Sequence, residues 1–200
     1  MDIELYGNTN NPDVLVIGVF HGDEPQGDYL IREYLGVNSD TKLLFIPCLN
    51  ITGFKTKTRV NKNGVDLNRN FPTKNWELGE KNEFFGGTEP ASEEETRFII
   101  SVIEKYKPKA ILTLHAPYKV VNYDGGAGVN NTGRKLAERI SDIIGYPVEE
   151  SIGYPTPGSF GTWAGVERNI PTITLELDEE VEVKELVKPV FKIFDMLENY

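Results

Sequence analysis

The sequence predicts an α/β sandwich built on a largely parallel sheet, and three observations predict it. Short apolar runs rich in β-branched residues are bounded by turn signals, amphipathic helical patterns alternate with them, and no linker, internal repeat or low-complexity tract divides the 200 residues. The expectation is one domain over residues 1–200, long enough to bury a sizeable core with its 39% apolar content.

The first run, Val14 to Phe20 (VLVIGVF), is continuously apolar, as a central strand buried on both faces should be. A helical pattern follows over Pro25 to Leu35. The second run, Leu43 to Leu49, contains the single cysteine, Cys48, whose apolar setting predicts an inert buried thiol with no disulfide partner. Residues Asn50 to Pro90 show no regular pattern and are dense in Asn, Gly, Lys and Arg. A structureless stretch of that length inside a compact domain is usually functional or mobile. The helix over Glu93 to Tyr106 is the best marked. Ser92 and Glu95 are spaced as a capping box, Phe98, Ile99, Val102, Ile103 and Tyr106 make one stripe, and Pro108 follows the end. A strand over Ala110 to Leu114, a helix over Thr132 to Ile144, a strand over Ile173 to Leu177 and a helix over Val183 to Leu197 complete the order. The acidic segment Asp178 to Glu185 reads as a solvated helix start, its acids near the positive end of the helix dipole, rather than as a second metal site.

Charge narrows the partners. With 21 Lys and Arg against 31 Asp and Glu, the net charge of -10 disfavours nucleic acid and anionic membrane surfaces and favours a small-molecule or peptide partner. No run approaches the roughly 18 apolar residues of a membrane span. The N-terminal MDIELYGNTNNPD lacks the basic and apolar segments of a secretory signal, so the expected compartment is the cytoplasm.

The chain has two histidines, and both fall at the C-terminal end of an expected central strand, His21 after VLVIGVF and His115 after AILTL. Open α/β sheets bind ligands at that edge. One histidine alone is more often structural, but two at equivalent strand ends, with Glu24 three residues past the first, favour a site. His, Glu and His are the ligand set of a catalytic zinc with a fourth position left for water. The His21-x-x-Glu24 spacing lets both side chains face one point if the chain enters its first helical turn there. In the long loop, KTKTRVNKNGVDLNRNFP contains Arg59, Asn68 and Arg69. By composition it fits a solvated loop, whereas guanidinium and amide groups beside a metal would suit an anionic substrate, because arginine's planar fork binds a carboxylate through two bonds. Glu176 in TITLELDE is a lone acid at an inward-facing strand position, where a functional or paired role is expected.

His21-x-x-Glu24, Lys57-Thr58-Arg59, GVDLNRNF (Gly64 to Phe71), His115 and TLELD (Thr174 to Asp178) occur in the order seen in zinc metallocarboxypeptidases related to carboxypeptidase A, and the sequence resembles that family from about Pro12 to Asp178. The resemblance implies a three-layer sandwich with a central mixed sheet flanked by helices, and one zinc ion held by His21, Glu24 and His115. It makes Glu176 the general base and Arg59 the group that polarises the scissile carbonyl and stabilises its oxyanion. It assigns Asn68 and Arg69 to the free terminal carboxylate of a small peptide substrate. Tyr154, in GYPTPGSFGTW, matches the family's mobile tyrosine that closes over bound peptide, although a turn aromatic beside proline fits the position equally. A narrower likeness, to the small cytoplasmic murein peptide amidases, is carried by HGDE, NGVDLNRNFP-x-KNW, LHAP, NYDG and IGYPTPGSFGTWAG. It implies release of meso-diaminopimelate from peptides such as L-Ala-γ-D-Glu-meso-diaminopimelate. Asp124 and Thr162 are then candidates for reading the diaminopimelate side chain, against the plainer readings of a turn aspartate and a helix-start threonine. Two other functions compete. One is an N-acyl-amino-acid deacylase of the succinylglutamate desuccinylase and aspartoacylase type, and the other a noncatalytic metal- or peptide-binding domain.

Overall fold

A computed structural model of the chain describes residues 2–124, 130–150 and 153–200. In chain order the elements are β1 (Tyr6–Gly7), β2 (Val14–Gly18), α1 (Gln26–Val37), β3 (Leu44–Ile46), α2 (Ile51–Thr56), a 3-10 turn (Leu67–Arg69), α3 (Glu94–Tyr106), β4 (Ala110–His115), β5 (Val120–Asp124), α4 (Asn130–Ile144), β6 (Val148–Glu149), a π-helical turn (Thr162–Val166), β7 (Thr172–Glu176) and α5 (Val183–Leu197). The strands form one sheet in the order β1-β3-β2-β4-β7-β5-β6. Pairing is parallel from β3 through β2 and β4 to β7, and again between β5 and β6, while β1–β3 and β5–β7 are antiparallel. The sheet is therefore mixed and largely parallel.

Period-two alternation along the strands divides the core into two layers. Val14 and Val16 of β2 face the side covered by α1, α4 and α5, where Leu30, Tyr34, Leu136, Ile140, Val190 and Phe194 pack. Leu15 and Ile17 face the other side, against Ile99, Val102 and Ile103 of α3 and against Phe160 and Trp163 near the π-helical turn. Because both faces are covered, β2 and β3 read as unbroken apolar runs, β4 as one broken only by Thr113 before its terminal His115, while β7 alternates threonine with isoleucine and leucine. Strands β1, β5 and β6 carry no such run. β1 and β6 are only two residues long, and β5 mixes polar with apolar positions.

Three local expectations are corrected. The first strand stops at Gly18 rather than Phe20, because Val19 takes a φ of 53° and turns the chain. A β-branched residue there is strained by about 1–3 kcal/mol. It is held by Leu49 N–H donating to the Gly18 carbonyl at 3.2 Å and Asn50 N–H to the Val19 carbonyl at 2.9 Å. The Ser92/Glu95 capping box does not form. Ser92 Oγ accepts from Asn70 Nδ2 and donates to Glu93, the cap residue Glu93 makes no side-chain cap bond, and Glu95 instead accepts from Asn61. The Asn50–Pro90 stretch is not wholly without structure. It contains α2, whose first turn is capped by Asn50 Oδ1 accepting from Gly53 N–H at 2.9 Å, and the 3-10 turn. Among the described residues, no helix is long and apolar enough to cross a membrane.

Candidate active site

Sheet register sets the two ends of the site side by side. His115 is the last residue of β4 and pairs directly with Glu176, the last residue of β7. Next to them, the segment between β2 and α1 makes a turn closed by Glu24 N–H donating to the His21 carbonyl at 3.2 Å. This turn precedes α1, whereas the spacing alone suggests the first turn of the helix itself. It presses so closely on α2 that a Cβ at position 22 would lie 1.9 Å from the carbonyl carbon of Gly53, which is why glycine follows the histidine.

The two imidazoles converge on one carboxylate. His21 Nδ1 lies 2.7 Å from Glu24 Oε1, and His115 Nδ1 lies 2.9 Å from Glu24 Oε2. On its far side, His21 Nε2 meets Asp66 Oδ1 at 3.1 Å. Donation of Nε2–H to Asp66 leaves the Nδ1 lone pair directed into the cluster, the arrangement that orients a metal-ligating histidine. One ligand atom from each of His21, Glu24 and His115 lies within 4.8 Å of the others. Tetrahedral zinc, with bonds of about 2.0–2.2 Å, holds its ligand atoms roughly 3.3–3.6 Å apart, so this donor set fits the ion with little movement.

Burial alone would make these groups neutral, and their mutual charges outweigh it. The Glu24 carboxyl is raised by burial but held well below the usual carboxylate range by His21 and His115. Burial lowers His21, yet Glu24 and Asp66 together push it up to about 9. Asp66, fully buried, is likewise held low by His21 and by the Arg59 guanidinium. Glu176 differs, because burial pushes its carboxyl up, only partly opposed by His115. Its Oε2 has no hydrogen-bond partner among the described residues, and the side chain is 6% exposed.

The long loop supplies the rest. Asp66 caps the 3-10 turn by accepting from Asn68 N–H at 2.8 Å, and its second oxygen accepts from Arg59 Nε and Nη2 at 3.0 and 2.8 Å. Arg59 Nη1 is left facing Glu24 Oε1 at 3.7 Å, while the Phe84 ring lies 5.1 Å from the guanidinium. Asn68 Oδ1 accepts from Phe160 N–H at 2.9 Å, so the donor it offers to a ligand is its Nδ2 amide. Arg69 is buried and anchored by one bond from Nη1 to the Asn68 carbonyl. The reading of this segment as a solvated loop is thereby replaced, since Leu67, Arg69, Asn70 and Phe71 are all buried.

His21, Glu24, Arg59, Asn68, Arg69, His115, Tyr154 and Glu176 line a single cleft of about 500 Å³. Tyr154 is 39% exposed at its mouth and hydrogen-bonds Tyr118. Asp66 is the functional residue that sequence reasoning leaves unassigned. Its signal, an aspartate two residues before Asn68, is visible only once Arg59 and His21 are known to fold over it. Asp124 lines an adjoining recess. Thr162 lines neither cavity and instead accepts from Ser159 Oγ at the start of the π-helical turn. Gly125 of NYDG and Ile152 of IGYPTPGSFGTWAG lie outside the described residues. In the acidic segment, Asp178 and Glu180 pair with Lys119.

Comparison with known proteins gives four consistent findings. A family profile described as zinc carboxypeptidase matches residues 3–193. Murein peptide amidase A of Escherichia coli strain K12 is 33% identical over 141 residues, which cover 64% of this chain and 55% of that protein, little more than half its length. Its namesake from Vibrio campbellii is 31% identical over 183 residues, covering 82% of this chain and 68% of the relative. The crystal structure of murein-tripeptide amidase MpaA from Escherichia coli O157 superposes with a TM-score of 0.80 at 28% identity, over 96% of this chain and 83% of that one.

Proposed function

Because the chain belongs to the zinc carboxypeptidase family and is thus a hydrolase of amide bonds, we propose that it releases meso-diaminopimelate from murein peptides such as L-Ala-γ-D-Glu-meso-diaminopimelate. The observation that carries this reading is the convergence of all the expected metal, base and carboxylate-binding side chains on one cleft. Likeness to the murein peptide amidases supports the substrate class.

In this reading one domain, residues 1–200, binds one zinc ion through His21, Glu24 and His115. The ion, when bound, acts as a Lewis acid and lowers the pKa of water to about 7. Arg69 and the Asn68 amide hold the substrate's free carboxylate, which orients the preceding amide bond over the ligand cluster. Arg59 is held by Asp66 through Nε and Nη2, so Nη1 is the donor available to the scissile oxygen as it gains negative charge. Glu176, with one unpartnered oxygen and a raised pKa, accepts the proton of the attacking water and returns it to the departing amine. Tyr154 covers the bound peptide. A lone buried cysteine, which offers no disulfide framework, supports the cytoplasm as the compartment.

The test is hydrolysis of L-Ala-γ-D-Glu-meso-diaminopimelate by the zinc-loaded protein, followed as free diaminopimelate by mass spectrometry. The peptide amidated at its terminal carboxyl and a panel of N-acyl amino acids run in parallel. Turnover of the free acid alone is expected. Faster release of the acyl groups would replace the peptidase reading with the deacylase one.

A further inference from the structure

Phe84 lines the cleft and is 48% exposed, while its neighbour in sequence, Phe85, is buried. Local bonds fix this arrangement. Asn82 Oδ1 accepts from Phe84 N–H at 2.8 Å, and the Asn82 carbonyl accepts from Phe85 N–H at 3.1 Å, a turn of the kind asparagine side chains commonly close. The Phe85 carbonyl in turn accepts from Asp66 N–H at 2.8 Å. Phe84 is therefore tied, one residue away, to the backbone of the same aspartate whose carboxylate holds Arg59.

The contact between Phe84 and Arg59 matters because of what the Asp66 bonds leave free. Arg59 Nε and Nη2 both donate to Asp66 Oδ2, at 3.0 and 2.8 Å. The donors of a guanidinium lie in its plane. Bonds in that plane stop the group from sliding but resist a tilt of the plane only weakly, and Nη1 is the atom that a tilt displaces. Glu24 Oε1, 3.7 Å from Nη1, is a carboxylate within reach of a small tilt, and a bond there would spend the oxyanion donor on a metal ligand. The Phe84 ring lies over the guanidinium carbon, with its centroid 5.1 Å away, so it occupies one face of the plane. Attraction of the cation to the ring face favours that orientation, and the ring keeps water from the same face. Phe84 also lines an adjoining cavity of about 340 Å³, so direct contact with substrate is the rival role.

We propose that Phe84 is a positioning residue for the oxyanion donor, its ring holding the Arg59 guanidinium so that Nη1 points at the scissile oxygen rather than at Glu24. The proposal rests on the amide-hydrolase reading, in which Arg59 meets the oxyanion, and adds the group that keeps Arg59 aimed. Since the ring acts through Arg59, its effect belongs to the transition state and disappears when Arg59 is absent.

The experiment compares kcat and KM of the zinc-loaded enzyme and its variants on L-Ala-γ-D-Glu-meso-diaminopimelate. Phe84→Ala should lower kcat by about 3- to 30-fold, the range a cation–π contact supplies. KM should stay within about twofold, because Asn68 and Arg69 still grip the carboxylate. Phe84→Tyr keeps the ring and should restore kcat to within about twofold of the wild type. In an Arg59→Ala background, Phe84→Ala should cost nothing more. A phosphonate analogue of the substrate, tetrahedral and anionic, should bind Phe84→Ala more weakly by the factor that kcat falls, and free diaminopimelate should not. A loss confined to KM, or an equal loss without Arg59, overturns the proposal in favour of a substrate contact. Repeating the kinetics on N-benzoylglycyl-L-alanine separates the two readings. If the wild type cleaves only that peptide, the kcat loss read there upholds Phe84 while the murein substrate fails, whereas cleavage of the murein peptide at equal rates by wild type and Phe84→Ala does the reverse. Nitrogen-15 NMR of the Arg59 side chain, without substrate, reads the contact apart from turnover. Rotation about Nε–Cζ should be faster in Phe84→Ala by about threefold or more, and an unchanged rate overturns the proposal.

Discussion

Asp66→Asn tests the idea that one buried carboxylate holds both the metal centre and the oxyanion donor in register. Asp66 makes four contacts, with His21 Nε2 at 3.1 Å, Asn68 N–H at 2.8 Å and Arg59 Nε and Nη2 at 3.0 and 2.8 Å. Every partner is a donor, and only a group with acceptors on both arms satisfies them all. An asparagine has one acceptor arm and one donor arm. With its oxygen toward His21 and Asn68, the amide nitrogen faces the Arg59 guanidinium, two donors meet, and the oxyanion donor loosens. With its oxygen toward Arg59, the amide hydrogen pushes the His21 proton onto Nδ1, the atom that faces Glu24, and coordination suffers. Altered metal-ligand support typically costs 10–100-fold in metal affinity, and a lost oxyanion donor costs about 10²–10³ in kcat. The variant should therefore lose zinc affinity, measured by competition with a chromogenic chelator, or kcat at saturating zinc, and which one it loses reports the orientation of the amide. Stability should also fall by about 1–3 kcal/mol, because the hydrogen bonds to a fully buried group are broken. Zinc affinity and kcat both within twofold of the wild type would refute the bridging role.

Two further outcomes follow from the same geometry. His115→Ala leaves two protein ligands of three, and elemental analysis after dialysis should find the zinc lost; full occupancy would remove His115 from the ligand set. Glu176→Gln keeps the shape of the side chain but not the proton acceptor, so it should retain zinc while kcat falls by about 10²–10⁴ with little change in KM; wild-type turnover in the zinc-loaded variant would exclude Glu176 as the base.

The parts of the fold legible in the sequence are those in which one physical requirement dominates. Strands covered on both faces are rich in apolar residues, so β2 and β3 stand out as unbroken runs and β4 and β7 as runs interrupted by threonines. The helix α5 is legible to the residue, Val183–Leu197, because Leu186, Val190, Ile193, Phe194 and Leu197 repeat at helical spacing on the face buried in the core. The ligand candidates were legible for a different reason, since a chain with two histidines offers few alternatives once both end a central strand. Where two requirements compete, local pattern misleads. Ser92 and Glu95 have capping-box spacing, yet Asn70, Glu93 and Asn61 bind the same atoms, and the tertiary partners win.

The long loop shows why a segment without a repeating pattern can still hold catalytic side chains still. Its backbone polar groups need partners as much as those of a helix do, and asparagine side chains supply them. Asn70 Nδ2 donates to the carbonyls of Gly86 and Glu89 at 2.7 and 3.2 Å, and its Oδ1 accepts from Glu93 N–H at 3.1 Å, tying the 3-10 turn to the start of α3. Asn61 Oδ1 accepts from the N–H groups of Asn63 and Val65 at 3.0 and 3.2 Å, closing the bend that brings Arg59 back toward Asp66. Both asparagines are buried, as a solvated loop would not require. The abundance of asparagine between positions 50 and 90 is thus the trace of an internal scaffold. It stands in for strand or helix pairing in the stretch that must also leave Arg59, Asn68 and Arg69 pointing into an open cleft. A helix would distribute those three side chains at a 100° period, and a strand would alternate them across a sheet. Only an irregular backbone pinned by its own side chains can aim all three at one point, so the absence of a regular pattern there is a consequence of what the site requires.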